Sequence, residues 1–288
     1  MRTALVFGGS GPIGAALLAR MAPAGWAIVA VSRDAQPDSP GVRWLRGDLE
    51  RCDGLPDAVD AIFSCGPLDH FARWHARSTI DAPRIVAFGS TSAAAKQASP
   101  DAAERELAAR LRDAEAMLFA SAAARDAAAT VLRPTLVYGD GRDRTVSRIA
   151  AMAQRLGWFM IPRDASGLRQ PVHVEDLAAA ALDACDAAAA RGRVYDLPGG
   201  ETLSWRDMVA RTLAALVPPP RLVEVPMPLF RLALAAARLA GRAGGFGEGA
   251  LARLHEDLVF DAAPARADFG YAPRPFKKVK KGPELISV

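Results

Sequence analysis

Residues 5–18, "LVFGGSGPIGAALL", run from an apolar segment through a turn with glycines at 8, 11 and 14 into the start of an amphipathic helix. Each glycine has a separate physical use. Gly8 permits a tight turn, Gly11 lets the backbone approach a pyrophosphate, and Gly14 lets a helix lie close on a strand. The helix N-terminus behind them supplies N–H groups and positive potential. A glycine triplet alone says little, but this one sits between strand and helix in the first βα turn. Gly8, Gly9, Ser10, Gly11, Pro12, Ile13 and Gly14 are therefore the expected phosphate cradle.

Outward from that turn, short β-type runs alternate with amphipathic segments. Strands are expected over 3–7, 27–31, 61–64, 84–88 and 130–132, with a helix over 13–21. Strands separated by helices indicate a parallel sheet, because parallel neighbours need crossover connections. A helix over 101–124 carries Leu107, Leu111, Ala114 and Leu118 on one face. After Arg133-Pro134 the pattern changes. Residues 139–171 form an excursion with one helix (146–157), and 174–188 a helix returning to the first domain. A strand over 194–197, a helix over 204–216, a Pro-rich hinge, a strand over 222–225, an apolar helix over 228–240 and a loop over 241–249 follow. The expected fold class is α/β: a Rossmann doubly wound parallel sheet with a smaller C-terminal substrate lobe. Residues 1–138 and 172–198 form the nucleotide domain, 139–171 and 199–276 the lobe, and 277–288 a basic, flexible tail.

Composition narrows the function classes. A chain of 288 residues with 51% hydrophobic content supports one large α/β domain with a sizeable core. Thirty-six basic residues against 32 acidic ones leave a charge of +4, and only five of the basic residues are lysines. Arginine-rich usage of this kind is more simply a coding bias than a nucleic-acid footprint, which needs a clustered basic face. Cys52, Cys65 and Cys185 lack metal-ligand spacing and suit a reducing compartment. The apolar stretch over 227–240 is short and interrupted by Arg231 and Arg238, which argues against membrane insertion. The expectation is a cytoplasmic protein with a small-molecule substrate and no nucleic-acid partner, for which a homodimer is compatible.

The second strand ends "AVSRD" (30–34). An acidic side chain at that end would hold a ribose 2′-hydroxyl and select NAD. Ser32 occupies the position, followed by Arg33, whose planar fork suits a 2′-phosphate. Asp34 competes for the acidic role. The chemistry leans to NADP, with NAD as the alternative.

Several further pieces, in order, give the chain a family likeness: "RGDL" (46–49), "FSCGP" (63–67), "VAFGSTS" (86–92), "LRPTLVYGDG" (132–141), "PVHVEDLAAAAL" (171–182) and the ending at 254–276. With "GGSGPIG", the chain resembles the extended, atypical short-chain dehydrogenase/reductase superfamily, the NAD(P)-dependent epimerase/dehydratase group. The resemblance implies that Asp48 and Leu49 contact adenine and that Cys65, Gly66 and Pro67 pass the cofactor ribose. It puts Gly89, Ser90, Pro134 and Thr135 beside the nicotinamide. Thr91, with Ser92 next to it, would hold the substrate carbonyl or hydroxyl, although such residues also cap turns.

In that family a Tyr-x-x-x-Lys pair moves the proton. A phenol of pKa about 10 does so near neutrality only beside an ammonium, and four-residue spacing puts both groups on one helical face. Aligned through "RDAEAM" (112–117), those positions are Leu107 and Leu111. The three tyrosines, Tyr138, Tyr195 and Tyr271, do not precede a lysine by four. Tyr138 is the one phenol expected near the chemistry, with packing as the competing role. Arg142, Arg144 and Arg169 are the expected substrate-binding residues, and three arginines near one cleft favour an anionic ligand. Lys96 has two readings, a side chain that swings toward the site or a solvated loop lysine, the second being the commoner. His70 and His75 read as packing residues, His173 as structural and Asp176 as the cap of the returning helix, and no metal site is expected. Two functions compete: an NADP-dependent oxidoreductase or epimerase-like enzyme with a non-standard proton donor, or a non-catalytic NAD(P)-binding sensor or assembly protein.

Overall fold

The computed structural model describes residues 1–143, 145–239 and 253–276. Arg144, the 241–249 loop and the 277–288 tail lie outside them. The chain divides into two compact units.

The first unit comprises Met1–Thr135, His173–Pro198 and Asp261–Pro273. Its elements are β1 (Thr3–Phe7), α1 (Pro12–Met21), β2 (Ala27–Ser32), β3 (Val42–Arg46), β4 (Ala61–Ser64), α2 (Leu68–Arg77), β5 (Arg84–Phe88), α3 (Ser92–Ala95), α4 (Ala102–Ala123) and β6 (Ala128–Pro134). After the chain passes through the second unit, α6 (Val174–Asp186) and β11 (Arg193–Leu197) complete the sheet, and a helix over Ala263–Phe269 ends the unit. The seven strands are all parallel, in the order β11-β6-β5-β4-β1-β2-β3. Strand order reverses between β1 and β4, the switch point at which such sheets bind ligands.

β4 is buried along its whole length and β1 along all but its first residue, so both read as continuous apolar runs rather than as alternation. Leu5, Phe7, Ile62, Ile85, Ala87 and Val131 from the strands pack with Phe71 and Trp74 of α2 and Leu118 of α4. Phe7 meets Trp74 edge-on at 4.4 Å. Truncating the fully buried Leu118 to alanine would cost about 2–5 kcal/mol. Asp101 starts α4 by accepting from the Ala103 amide at 2.9 Å.

β3 has no counterpart among the expected strands. It is the sheet edge, and its "VRWLR" sequence sets arginines where a central strand would carry apolar residues. The α6 cap is also corrected: the His173 Nδ1, not Asp176, accepts from the Glu175 amide at 3.2 Å. Asp176 sits in the first turn, where its charge suits the helix dipole.

The second unit takes in the described parts of Leu136–Val172, Gly199–Phe260 and Arg274–Val288. It holds β7 (Val137–Tyr138), α5 (Val146–Leu156), β8 (Trp158–Pro162), β9 (Leu168–Arg169), the first residue of β10 (Val172–His173), β12 (Leu203–Ser204), α7 (Trp205–Ala214), β13 (Arg221–Val225) and α8 (Met227–Leu239). β13 pairs in parallel with β8, and β12 antiparallel with β9. Trp158 is exposed while Phe159 and Ile161 are buried with Ile149, Val209 and Leu213. Residues 158–160 are therefore the alternating face of a strand.

The expected split of the chain differs most at one segment, and at its borders Leu136–Tyr138 and Val172 fall in the second unit. Asp261–Pro273 belongs to the first unit because Tyr195 donates to Asp268 at 2.5 Å, Arg193 pairs with Asp268 at 2.9 Å, and Tyr271 donates to the Pro198 carbonyl at 2.8 Å.

Candidate functional site: a glycine-cradled cavity at the switch point

A cavity of about 610 Å³ opens over the carboxyl ends of β1 to β4. Its walls come from the turn after β1 (Gly8, Ser10, Gly11), the end of β2 (Ser32, Arg33), the turn after β3 (Gly47 to Glu50) and the turn after β4 (Cys65, Gly66, Pro67). Gly8 has φ +73°, a conformation side chains rarely adopt, and a Cβ there would lie 3.0 Å from the Cys65 carbonyl carbon. A Cβ on Gly14 would lie 2.2 Å from the Gly8 carbonyl oxygen. Only glycine allows α1 to begin this close to β1, leaving the helix's first amides at the cavity. The residues present thus fit a dinucleotide pyrophosphate. Gly9 has a different use: a Cβ there would touch the Trp44 ring at 3.0 Å. Pro12, Ile13 and Gly14 form the first turn of α1 rather than the cavity wall.

Ser32 is buried at the end of β2, and its hydroxyl lies 3.0 Å from that of Ser10. Arg33 is exposed on the rim, whereas Asp34, the competing acid, lies outside the cavity lining. Asp48 Oδ1 accepts from the amides of Glu50 and Arg51 at 2.8 and 2.9 Å. These backbone bonds, Arg51's foremost, hold its carboxyl below the ordinary range. Burial pushes the Cys65 thiol up to about 12, so it lines the cavity as a neutral group. His70 and Glu50 also line the cavity and approach each other at 4.0 Å. His70 is thus a wall residue rather than a packing residue. Its place in the first turn of α2, just after Gly66-Pro67, was the signal available for it. His75, one turn further, is the packing histidine: it is buried, with Nδ1 at 2.7 Å from Ser121 Oγ.

The remaining expected site residues gather at the ends of β5 and β6. The Gly89 amide donates to the Leu132 carbonyl at 2.8 Å. The Thr91 amide and hydroxyl both donate to the Pro134 carbonyl, at 3.3 and 3.2 Å. Thr91 is buried, and its one hydroxyl proton is directed at the backbone rather than outward. Ser90 Oγ accepts from the Ser92 amide at 3.1 Å. Thr135 donates its amide to the Leu197 carbonyl at 3.3 Å. Behind these turns, Arg133 donates Nε to Glu115 Oε1 at 2.7 Å and a terminal nitrogen to Oε2. Leu111, where the family places its lysine, packs against the strand core, and Leu107 is half-buried. Lys96 pairs with Glu104 at 3.2 Å and is largely buried, not solvated.

Every tyrosine is engaged in packing or backbone bonds. Tyr138 is 1% exposed, edge-on to Phe276 at 4.8 Å, in a core cluster of the second unit. That placement corrects the expectation that it faces the chemistry. Tyr195, pushed up to about 12 by burial, donates to Asp268, and burial likewise raises the buried Tyr271.

Two of the three expected substrate arginines have other partners. Arg169 is 5% exposed and donates to the carbonyls of Leu168 and Glu256 at 2.7 Å and to that of Arg253. Burial lowers the pKa of its guanidinium, and the three carbonyls keep the charge satisfied. It fastens the 253–256 segment to β9 instead of facing a ligand. Arg142 Nε pairs with Asp140 at 2.7 Å. Among the described residues, no group of three metal-binding side chains comes together, and no helix is long and apolar enough to cross a membrane.

Residues 4–197 match the model of the NAD dependent epimerase/dehydratase family. A 2-alkyl-3-oxoalkanoate reductase of Stenotrophomonas maltophilia is 28% identical over 316 aligned positions, which cover 94% of this chain and 94% of the reductase. Among solved structures, the terminal R domain of the myxalamid PKS-NRPS biosynthetic pathway superposes with a TM-score of 0.72 at 17% identity, over 96% of this chain and 87% of that one. An epimerase of Methanothermobacter thermautotrophicus gives 0.70 at 15% identity, over 95% and 88%. At these identities the structural likeness speaks to the fold.

Proposed function

This chain belongs to the NAD dependent epimerase/dehydratase family, and we propose that it is an NADP-dependent oxidoreductase acting on a small carbonyl or hydroxyl compound. The glycine cradle carries the proposal: the 2.2 Å approach at Gly14 excludes any other residue, and the cavity beside it has the walls a dinucleotide needs. The nicotinamide, when bound, supplies the hydride chemistry. The chain's own part is to bind, orient and manage a proton.

Binding falls to the first amides of α1, which favour the negative pyrophosphate, and to the Asp48 turn at the adenine end. Ser32 and Arg33 support NADP. A 2′-phosphate meets no carboxylate at position 32 and a planar cationic fork at 33. Orientation falls to the β5 and β6 turns. Thr91 stitches one to the other, while Ser90 uses its oxygen as an acceptor and keeps its O–H to donate to a substrate oxygen. With all three phenols buried, the proton comes from water or from the substrate itself.

The Stenotrophomonas reductase suggests the substrate class to test first, a 3-oxo acid. An anionic substrate is then supported by that relative rather than by Arg142 or Arg169, whose guanidinium groups are engaged. The test is fluorescence titration with NADPH and NADH, followed by loss of reduced-nicotinamide absorbance with 2-alkyl-3-oxo acids. Absence of dinucleotide binding at millimolar concentration would sink the proposal. A second reading, a non-catalytic dinucleotide-binding sensor or assembly protein, is favoured by Leu107 and Leu111. Tight NADPH binding without turnover of any carbonyl compound would support it.

A further inference from the structure

We propose that the Arg133–Glu115 pair, with Asp196 beside it, is a positioning device for the nicotinamide half of the dinucleotide; this rests on the dinucleotide-binding reading above. A dinucleotide spanning the switch point leaves its adenosine over β1 to β3 and reaches past Gly66 toward β5 and β6. The chain there is tied at four successive residues, three through the backbone and one through a side chain. The Leu132 carbonyl takes the Gly89 amide, the Arg133 side chain takes Glu115, the Pro134 carbonyl takes both donors of Thr91, and the Thr135 amide reaches Leu197.

Arg133 is the one of these four whose partner lies on α4. Its guanidinium is held by both oxygens of Glu115, which is 5% exposed on α4. Glu115 Oε1 would lie 3.5 Å from a Cβ on Gly89, directly under the β5 turn. Asp196 pairs in register with Arg133 across β11 and β6, and its Oδ1 is buried 4.0 Å from the guanidinium without a hydrogen bond.

A buried carboxylate with a half-buried guanidinium and a half-buried second carboxylate is a poor source of stability, since an apolar set of equal volume often does as well. What the cluster supplies is a fixed geometry. A bidentate fork allows one orientation, so α4, β6 and the β5 turn are held in one arrangement. Where the family's lysine would reach from α4 toward the cofactor, this chain has Leu111, and the next turn of the same helix acts on the turn backbone instead.

The experiment compares NADPH with adenosine 2′,5′-bisphosphate, which carries the adenosine half alone, on wild type and on Glu115→Gln. The expected result is about tenfold weaker NADPH binding, with reduced fluorescence of the bound nicotinamide and adenosine 2′,5′-bisphosphate affinity unchanged within about twofold. A purely structural pair would weaken both ligands alike. If Glu115→Gln does not fold, the apolar pair Glu115→Leu/Arg133→Met restores folding and shows the same selective loss. Equal loss of both ligands, or no loss of NADPH in a folded variant, overturns the positioning role. A wild type that binds neither NADPH nor NADH removes the dinucleotide reading and this inference with it; a wild type that binds NADPH and the bisphosphate with no selective loss in the variants removes this inference alone.

Discussion

The crevice over β1 to β4 and the ends of β5 and β6 are neighbours in one sheet, yet they are built from different materials. The first is made of backbone: glycines at 8, 11 and 14, helix amides, and a turn at Asp48 held by its own neighbours. The second depends on side chains, and nearly every one that could act is occupied. Thr91 bonds Pro134, Arg133 bonds Glu115, and Leu107 and Leu111 stand where a proton pair belongs. A site written in backbone tolerates little change, because a single Cβ closes it. A site written in side chains can be rewritten one residue at a time while the fold survives.

The largest expected effect tests the first half of that contrast. Gly14→Val should weaken dinucleotide binding at least about a thousandfold, about 4 kcal/mol, in titrations monitored by nicotinamide fluorescence. Retained affinity would mean that the cradle is not where the pyrophosphate lies. Next, Leu107→Tyr with Leu111→Lys restores a phenol and an ammonium on one face of α4. If the chain is a weak reductase limited by proton supply, turnover of a 3-oxo acid should rise about a hundredfold, in the usual range for general acid catalysis. An unchanged rate would show that the second region has lost more than its proton donor.

Acid separates loss of fold from loss of site. Burial pushes His75 from 6.5 down to about 4, so the unfolded chain takes up a proton that the folded chain refuses. Stability from this group is therefore complete above pH 6.5 and declines as pH falls toward 4. The decline should be about 2 kcal/mol after allowing for screening, measured by urea unfolding across that range. His75→Gln should flatten the dependence, and an unaltered slope would assign it to other groups. The smallest effect is at the cavity rim. Arg33→Ala should weaken NADPH about tenfold and leave NADH within about twofold. Equal losses would make Arg33 a surface charge.

Much of the first region was legible in sequence because its requirements are local. The turn at Gly8–Gly14, the strands at β1, β4 and β5, and the absence of an acid at Ser32 follow from residue type and spacing. β3 is not legible in the sequence because an edge strand with arginines lacks the apolar run that marks its neighbours. His70 reads as a packing residue because of its apolar neighbours Phe71 and Trp74, which do pack, while His70 itself lines the cavity. Asp176 has the residue type of a cap, but the backbone places His173 at that point.

The sequence by itself determined every strand of the sheet but β3, the glycine turn after β1 and the missing Tyr-Lys pair, since each depends on residues adjacent in the chain or at helical spacing. Only the tertiary structure decided what the polar side chains do. Arg169 lies 84 residues from one of the carbonyls it serves, Thr91 lies 43 from Pro134, and Tyr195 lies 73 from Asp268. An arginine, a threonine and a tyrosine look alike in sequence whether they face a ligand or fasten two segments together. Burial settles it, because a polar group withdrawn from water must find its partner within the protein.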